Sequence, residues 1–263
     1  MEQSDFQVET AMNRSSLVKV VSCIAISLLI PLKASTNELD QLTYITESYP
    51  PYNFKSKGKL KGIAVDLLLA ATKKTSSSLT PKEIRVFPWP RAYKMAEAGP
   101  EIVLFSTTRT DEREPKFNWV GPIVPTRIVL LAKKSNSIVI SSPSDIKKYV
   151  IGAITDDIGD QLVQEAGVQS SSIKHVPKAE SLAKMLGADR IKLWAYEENV
   201  ARWFIKTEGL NNDDFEAVYT LKESDLYYSF SKDISKDRQQ LLQKAIDDVK
   251  ASGEFEKIKA NYL

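Results

Sequence analysis

The chain is poor in the residues that build metal and thiol sites. Its 263 residues include one cysteine, Cys23, and one histidine, His175. A single cysteine forms no intrachain disulfide, and one histidine with one cysteine cannot complete a zinc site. His175 stands near a predicted strand and a proline, a setting more typical of a structural histidine than of a catalytic one. We therefore expect no metal centre.

The sequence also lacks the common signatures of cofactor binding and catalysis. It contains neither a Gly-rich phosphate loop nor a Gly-x-Ser-x-Gly nucleophile elbow. Positive evidence for an enzyme is thus missing, and we expect no cofactor and no catalytic residues.

An excess of either charge is missing as well. The chain has 36 basic and 34 acidic residues, a formal net charge of +2. A nucleic-acid partner usually selects a concentrated basic face, so we expect none. The 43% hydrophobic and 27% charged residues instead describe a globular chain, long enough for one large domain or two modest lobes.

No apolar run is long enough to span a membrane comfortably, which takes about 20 residues. The longest apolar run, Val20 to Leu32, follows Arg14 and Lys19. This pattern predicts a signal peptide over residues 1–34, cleaved after Ala34, with an uncleaved anchor as the alternative. Cys23 lies inside this leader, where a small apolar residue is a better interpretation than a lipidation site.

Short apolar runs alternate with helical patterns from Leu42 onward, which favours an α/β fold. The predicted strands cover residues 42–46, 84–87, 102–105, 127–132, 150–154 and 191–196. The predicted helices cover residues 62–75, 90–99, 158–167, 179–187 and 237–252. The last helix places Leu241, Leu242, Ala245, Ile246 and Val249 on one stripe, so it should pack on a sheet.

Several segments together resemble the periplasmic solute-binding proteins of amino-acid ABC transporters, extracellular solute-binding protein family 3. The resemblance rests on the order of four stretches: "YITESYPPYNF" (44–54), "GKLKGIAVDLL" (58–68), "STTRTDER" (106–113) and "ASGEFEKIKANYL" (251–263). It covers nearly all of the chain after the leader.

The resemblance implies a two-lobed type II periplasmic-binding-protein fold, in which each lobe is a mixed sheet flanked by helices. Lobe 1 would comprise residues 38–124 plus 222–263, and lobe 2 residues 125–221, joined by two hinge strands. The Ser-rich stretch 135–145 resembles a surface loop and lies where the strand-helix pattern restarts. It weakly supports a boundary between the lobes near residues 124 to 135. The family resemblance further implies a periplasmic monomer that binds an amino acid or a similar zwitterion between the lobes and delivers it to an inner-membrane permease.

In this family a hydroxyl-rich turn followed by Thr-x-x-Arg holds the α-carboxylate of the ligand. Ser106, Thr108, Thr110 and Arg113 match that pattern. A planar guanidinium donates two parallel hydrogen bonds to a carboxylate, and hydroxyl groups can satisfy the remaining lone pairs. The resemblance therefore makes Arg113 the carboxylate-binding residue, assisted by Ser106 and Thr108.

The alternative is that this turn lies on the solvent-exposed surface. Arg113 could pair with Glu112 or Glu114 in an ordinary exposed ion pair. Arg109, four residues earlier, is a second candidate for the ligand, and contact with solvent is an equal alternative for it.

The loop after the first strand places Glu47, Tyr49 and Tyr52 where α/β folds form their binding crevices. Tyr49 matches the aromatic that covers the ligand in the family. Trp89, at another strand end, is a candidate for a second aromatic wall. Packing in the core is the alternative role for both aromatic residues.

The predicted second lobe supplies three more candidates. The resemblance places Glu197 where the family holds the ligand's α-ammonium; complementing the positive end of the following helix is the alternative for Glu197 and Glu198. Asp157 and Ile158 lie where the family aims helix amides at the carboxylate. Asp156 and Asp157 depart from the commoner Gly-Thr-Thr-like loop, so either an aspartate caps the helix while the Ile158 amide faces the ligand, or an aspartate contacts a cation.

Two other functions remain open from the sequence. One is a dehydratase-like enzyme on the same fold, with Glu47 and Glu197 as the proton-transferring acids. The other is a sensory module that binds a solute without transporting it.

Overall fold

The computed structural model describes residues 37–262. The predicted signal peptide and Cys23 therefore lie outside the described residues. The strands, numbered in chain order, are β1 (Thr43–Thr46), β2 (Phe54–Ser56), β3 (Lys59–Lys61), β4 (Arg85–Val86), β5 (Ile102–Thr108), β6 (Asn118–Val120), β7 (Pro125–Lys133), β8 (Ile151–Ile154), β9 (Ile173–Val176), β10 (Leu193–Glu197) and β11 (Phe215–Phe230).

Residues 37–262 also contain eight helices. They are α1 (Ile63–Lys74), α2 (Trp89–Ala98), α3 (Pro143–Ile146), α4 (Ile158–Glu165), α5 (Ala179–Gly187), α6 (Glu198–Thr207), α7 (Lys236–Ala251) and α8 (Glu254–Lys259). Short 3-10 turns occupy Glu38–Gln41, Lys134–Asn136, Ser170–Ser172 and Asn212–Asp214. All five predicted helices are confirmed, as α1, α2, α4, α5 and α7.

Nine of these strands form a mixed sheet in the order β4-β1-β5-β11-β7-β10-β8-β9, with β6 also paired to β11. The remaining two, β2 and β3, pair with each other in a separate antiparallel sheet. The long strand β11 links two parts of this sheet. Its residues 226–230 pair with β5, and its residues 215–225 pair with β7. We call β4, β1, β5 and β6 with the end of β11 the first half-sheet, and β7 to β10 with the start of β11 the second half-sheet.

Both faces of the second half-sheet are buried. Along β7, Leu130 belongs to one apolar cluster together with Val163 of α4, whereas Leu131 belongs to a larger cluster that includes Leu182 of α5 and Val200 of α6. Because alternate side chains point to opposite faces, covering both faces requires a continuous apolar run. This explains the sequence "IVLLA" in the middle of β7.

The helices beside the first half-sheet also pack on the hydrophobic core. α1 packs against α7, and α2 packs against β5 and β1. α7 buries Leu242, Ala245, Ile246 and Val249 as predicted. Leu241 differs from the prediction, because its side chain is 37% exposed at the edge of the stripe.

One glycine fixes the loop that follows β1. Gly62 caps α1 with φ +134°, and a Cβ at this position would lie 2.3 Å from the Tyr52 carbonyl oxygen. Only glycine tolerates both that backbone conformation and the close approach. Gly62 therefore holds the loop that carries Tyr52 against the start of α1.

Each helix within residues 37–262 is too short or too polar to span a bilayer.

Candidate functional site

The candidate site lies where strands of both half-sheets end. β1 is parallel to β4 and β5, so the residues after Thr46 and Thr108 lie at one edge of the first half-sheet. β10 is parallel to β8, which brings the residues after Ile154 and Glu197 to one edge of the second. Carboxyl ends of parallel strands are the usual place for ligand crevices in α/β sheets.

Arg113 is fully buried and is not a surface residue. Its Nη1 donates to the Thr108 carbonyl oxygen at 3.2 Å, and its Nη2 to the Asp156 carbonyl oxygen at 3.4 Å. Its guanidinium carbon lies 5.2 Å from the ring centres of both Trp89 and Tyr93. Its Nε is buried and has no hydrogen-bond partner. A guanidinium donates five hydrogen bonds, so this one has capacity left for an anion.

The surface reading of Arg113 is wrong. Glu114 pairs instead with Arg109, at 2.6 Å, and Glu112 pairs with Lys116, at 3.1 Å. Neither glutamate reaches the Arg113 side chain, which is 0% exposed.

Arg109 lies on a different surface from Arg113. Its side chain is 40% exposed and donates two hydrogen bonds to Glu114. Its guanidinium also lies 5.3 Å from the Tyr227 ring centre and 5.6 Å from that of Trp119. The structure thus separates the two arginines of the "STTRTDER" motif, and ligand contact by Arg109 stays a prediction.

Ser106 and Thr108 are both buried, and Ser106 lies at an irregularity of β5. The pairing of β5 with β11 shifts at Ser106, which has φ +61°. Such a bulge turns one side chain out of the regular alternation. The Ser106 hydroxyl donates to Asn53 Oδ1, and Asn53 Nδ2 donates to the Glu47 carbonyl oxygen at 2.7 Å. Asn53, which no sequence motif indicates, therefore links Ser106 to the loop after β1.

The loop between β8 and α4 presents a carbonyl to the first half-sheet. Asp156 has φ +60°, a left-handed conformation, and its carbonyl oxygen accepts from Trp89 Nε1 at 2.9 Å as well as from Arg113. Asp157 caps α4 by accepting from the Gly159 amide at 3.4 Å. Of the alternatives for this loop, helix capping by an aspartate is thus observed. Ile158, the first residue of α4, is buried, and contact between its amide and a ligand stays a prediction.

Glu197 is also fully buried and is hydrogen-bonded on both oxygens. Oε2 accepts from the Val200 amide at 2.8 Å, and Oε1 accepts from the Tyr52 hydroxyl at 3.0 Å and from Asn199 Nδ2 at 3.3 Å. Burial raises the pKa of the Glu197 carboxyl to about 7, although these hydrogen bonds favour the ionised form. Glu197 caps α6 and also contacts Tyr52 of the first half-sheet. Its role toward an ammonium group stays a prediction.

Glu47 has a different environment. Its side chain is 8% exposed, and within residues 37–262 its carboxylate has no hydrogen bond or ion pair. Burial first, and then the charge of Asp157, raise the pKa of Glu47 well above its ordinary value, while Arg113 lowers it. Burial likewise raises the pKa of Asp157, and Arg113 opposes that shift too. The two acids therefore lie within electrostatic reach of the same guanidinium.

A cavity of about 220 Å³ adjoins Glu47. It is lined from the first half-sheet by Glu47, Ser48 and Phe87 and from the second by Ile154, Glu180 and Tyr196. Glu180 and Phe87 were not predicted from the sequence to bind ligand. Tyr196 is one of the aromatic residues that the sequence offers for packing on an apolar group or stacking on a cation.

Tyr49 joins an aromatic group beside this cavity. Its ring centre lies 5.6 Å from that of Tyr196, edge to face, and 5.7 Å from that of Tyr52. Tyr196 in turn stacks on Trp194 at 5.3 Å. Tyr49 and Trp89 are each 2% exposed, so in this conformation both are packed against other aromatic or charged groups. Their contact with a ligand stays a prediction.

Residues 42–263 match the model of the bacterial extracellular solute-binding proteins, family 3. The chain belongs to this family. The predicted resemblance is therefore confirmed, and the family is one of solute-binding proteins.

The comparisons with individual proteins agree with this assignment. A probable histidine-binding protein of Neisseria gonorrhoeae is 25% identical over 220 residues, 82% of this chain and 80% of that protein. The arginine-, lysine-, histidine-binding protein ArtJ of Geobacillus stearothermophilus has a TM-score of 0.72 and 19% identity, covering 84% of this chain and 94% of that one. An ancestral arginine-binding protein bound to arginine has a TM-score of 0.71 and 23% identity, covering 84% and 97%. These structures confirm the two-lobed α/β fold.

Proposed function

We propose that this protein binds an amino acid between the two half-sheets and holds its α-carboxylate on Arg113. The observation that carries the proposal is a fully buried guanidinium whose Nε has no hydrogen-bond partner and which no carboxylate of the described residues pairs with directly. Burying a charged group without a counter-charge is costly, so an anion at this position would be strongly favoured. Relatives and structural neighbours that are named as histidine- or arginine-binding proteins support an amino acid as that anion.

We propose lobe 1 as residues 38–124 plus 222–263 and lobe 2 as residues 125–221, with β7 and β11 crossing between them. The pairing of β11 with both half-sheets supports this division. A hinge at the two crossing strands would let the lobes open for the ligand and close on it.

In the cell, the protein would be a monomer in the periplasm, secreted by means of its leader, that delivers its ligand to an ABC permease in the inner membrane. It would act without nucleic acid and without catalysing a reaction. The membership in an extracellular solute-binding family supports this location and role.

Calorimetric titration of the purified protein with the common L-amino acids tests the proposal. We expect at least one to bind, and its α-carboxamide, which lacks the negative charge, to bind at least about tenfold more weakly. Equal affinity for the acid and the carboxamide would contradict the role of Arg113.

Two further measurements separate the competing functions. The dehydratase-like alternative resembles the periplasmic cyclohexadienyl dehydratases, so incubation with prephenate or arogenate, followed by absorbance, should show no product. Uptake of the labelled ligand by cells should fall when the protein is absent, whereas a purely sensory module would leave uptake unchanged.

A further inference from the structure

Glu47 is a buried carboxylate that faces a cavity without a protein partner. Its side chain is only 8% exposed, and its remaining surface lines the cavity of about 220 Å³. Other acids of the described residues with low exposure are engaged: Glu197 accepts three hydrogen bonds, and Asp160 accepts from His175 at 2.9 Å and from Gln164 at 2.7 Å. Buried polar groups are normally satisfied, so a ligand donor is expected at Glu47.

Glu180 approaches the same cavity from the opposite side. It lies in the first turn of α5, on the second half-sheet, whereas Glu47 follows β1 of the first. Within residues 37–262, Glu180 also has no hydrogen bond or ion pair, and the two carboxylates repel each other. Lys178 is the one basic residue among those lining the cavity, and its side chain is exposed. Acidic residues thus outnumber basic ones in the lining of this cavity.

The rest of the cavity lining suits a planar cation. Phe87 and Tyr196 border it together with the two glutamates. Aromatic faces attract cations, and a guanidinium or an imidazolium can stack on a ring while it donates hydrogen bonds to carboxylates.

We propose that Glu47 and Glu180 together recognise a cationic ligand side chain, and that Glu180 determines the specificity for a cation over a neutral isostere. This inference rests on the proposed function, because it places the side chain of an amino acid whose carboxylate is on Arg113. The two glutamates come from different half-sheets. A cation between them turns their repulsion into attraction, so a basic ligand draws the two sides together and a neutral one does not.

The test compares arginine with citrulline, which has nearly the same shape but no side-chain charge. Calorimetry of the parent protein should give arginine an affinity at least about 30-fold higher than citrulline. Glu180→Gln should reduce this ratio by about tenfold or more, mainly because arginine binds more weakly to the variant. Glu165→Gln, at the exposed end of α4, is the matched control and should leave the ratio unchanged. Circular dichroism and the melting temperature verify that each variant folds.

Agmatine, which keeps the guanidinium of arginine but lacks the α-carboxylate, distinguishes the inference from the function on which it rests. If amino acids bind but citrulline matches arginine, the inference is overturned and the proposed function stands. If agmatine binds in a Glu180-dependent manner and no amino acid does, the cation site stands and the proposed function falls. Retention of the full arginine preference in Glu180→Gln would overturn the role of Glu180. If neither agmatine nor any of the common L-amino acids binds, both the inference and the proposed function are overturned.

Discussion

Arg113 and Glu47 are neighbouring buried ionisable residues with opposite surroundings: protein groups contact the Arg113 guanidinium, whereas a cavity adjoins the Glu47 carboxyl group. Arg113 is enclosed by two carbonyl oxygens and two aromatic rings, which partly satisfy its positive charge. Glu47 has no donor from the described residues and faces open space instead. The first region is preorganised for an anion, and the second depends on a ligand for its counter-charge. A ligand with a carboxylate at one end and a cation at the other would complement both.

The largest expected effect is on the Arg113 side of this comparison. Arg113→Ala should weaken binding of the amino acid by about 2 to 5 kcal/mol, because the carboxylate would lose its buried partner. Calorimetric titration measures the change. Arg190→Ala is the matched control, since the Arg190 side chain is exposed and lies before β10, outside the candidate site, and it should alter affinity by less than about threefold. Similar losses in both variants would show that Arg113 has no special role.

Glu197 allows the cost of a buried carboxylate to be measured without ligand. Its pKa of about 7 in the folded protein lies above the ordinary 4.5, so the folded state binds this proton more tightly than the unfolded state. The associated stability is complete below about pH 4.5 and is lost as the pH rises through 7. The rise of the Glu197 pKa from 4.5 to about 7 corresponds to up to about 3 kcal/mol.

Urea unfolding of the ligand-free protein at pH 5 and pH 8 tests this sign. Glu197→Gln removes the titration, so its free energy of unfolding should fall less between the two pH values than that of the parent. An equal or steeper fall in Glu197→Gln would contradict the raised pKa.

The smallest effect concerns the hydrogen bond that joins the Arg113 region to the loop before α4. Trp89→Phe keeps an aromatic ring beside Arg113 but removes the donor to the Asp156 carbonyl oxygen. The loss should be about 1 kcal/mol in ligand affinity, the usual net value of one hydrogen bond. Trp203→Phe, on the partly exposed face of α6, serves as the control for a tryptophan substitution and should change affinity less. An unchanged affinity in Trp89→Phe would show that this bond does not support the binding conformation.

Most helices and strands were predictable from the sequence because the hydrophobic pattern of each lies within its own residues. The apolar runs of β1, β5, β7, β8 and β10 and the helical stripes of α1 and α7 follow from burial on a sheet. The longest strand, β11, was not predicted, since its exposed and half-buried residues give no continuous apolar run. Its strand structure comes from pairing with β5 and β7, which are distant in sequence.

The candidate site was predictable in part. The motif around Arg113 and the strand ends at Glu47 and Glu197 were found from the sequence, and the structure brings their loops to neighbouring sheet edges. Asn53 and Glu180 were missed, because nothing in their neighbouring residues indicates a contact with Ser106 or with the cavity of Glu47.

The sequence by itself determined the family, the alternation of strands and helices, and the residue types available to the cleft. Only the tertiary structure decided which charges are satisfied. Arg109 and Arg113 are four residues apart and chemically identical, yet one forms a surface ion pair and the other is buried. Glu47 and Glu197 both follow or end a strand, yet one faces a cavity and the other caps a helix. The reason is physical: burial and counter-charge depend on groups that meet only when the two half-sheets come together.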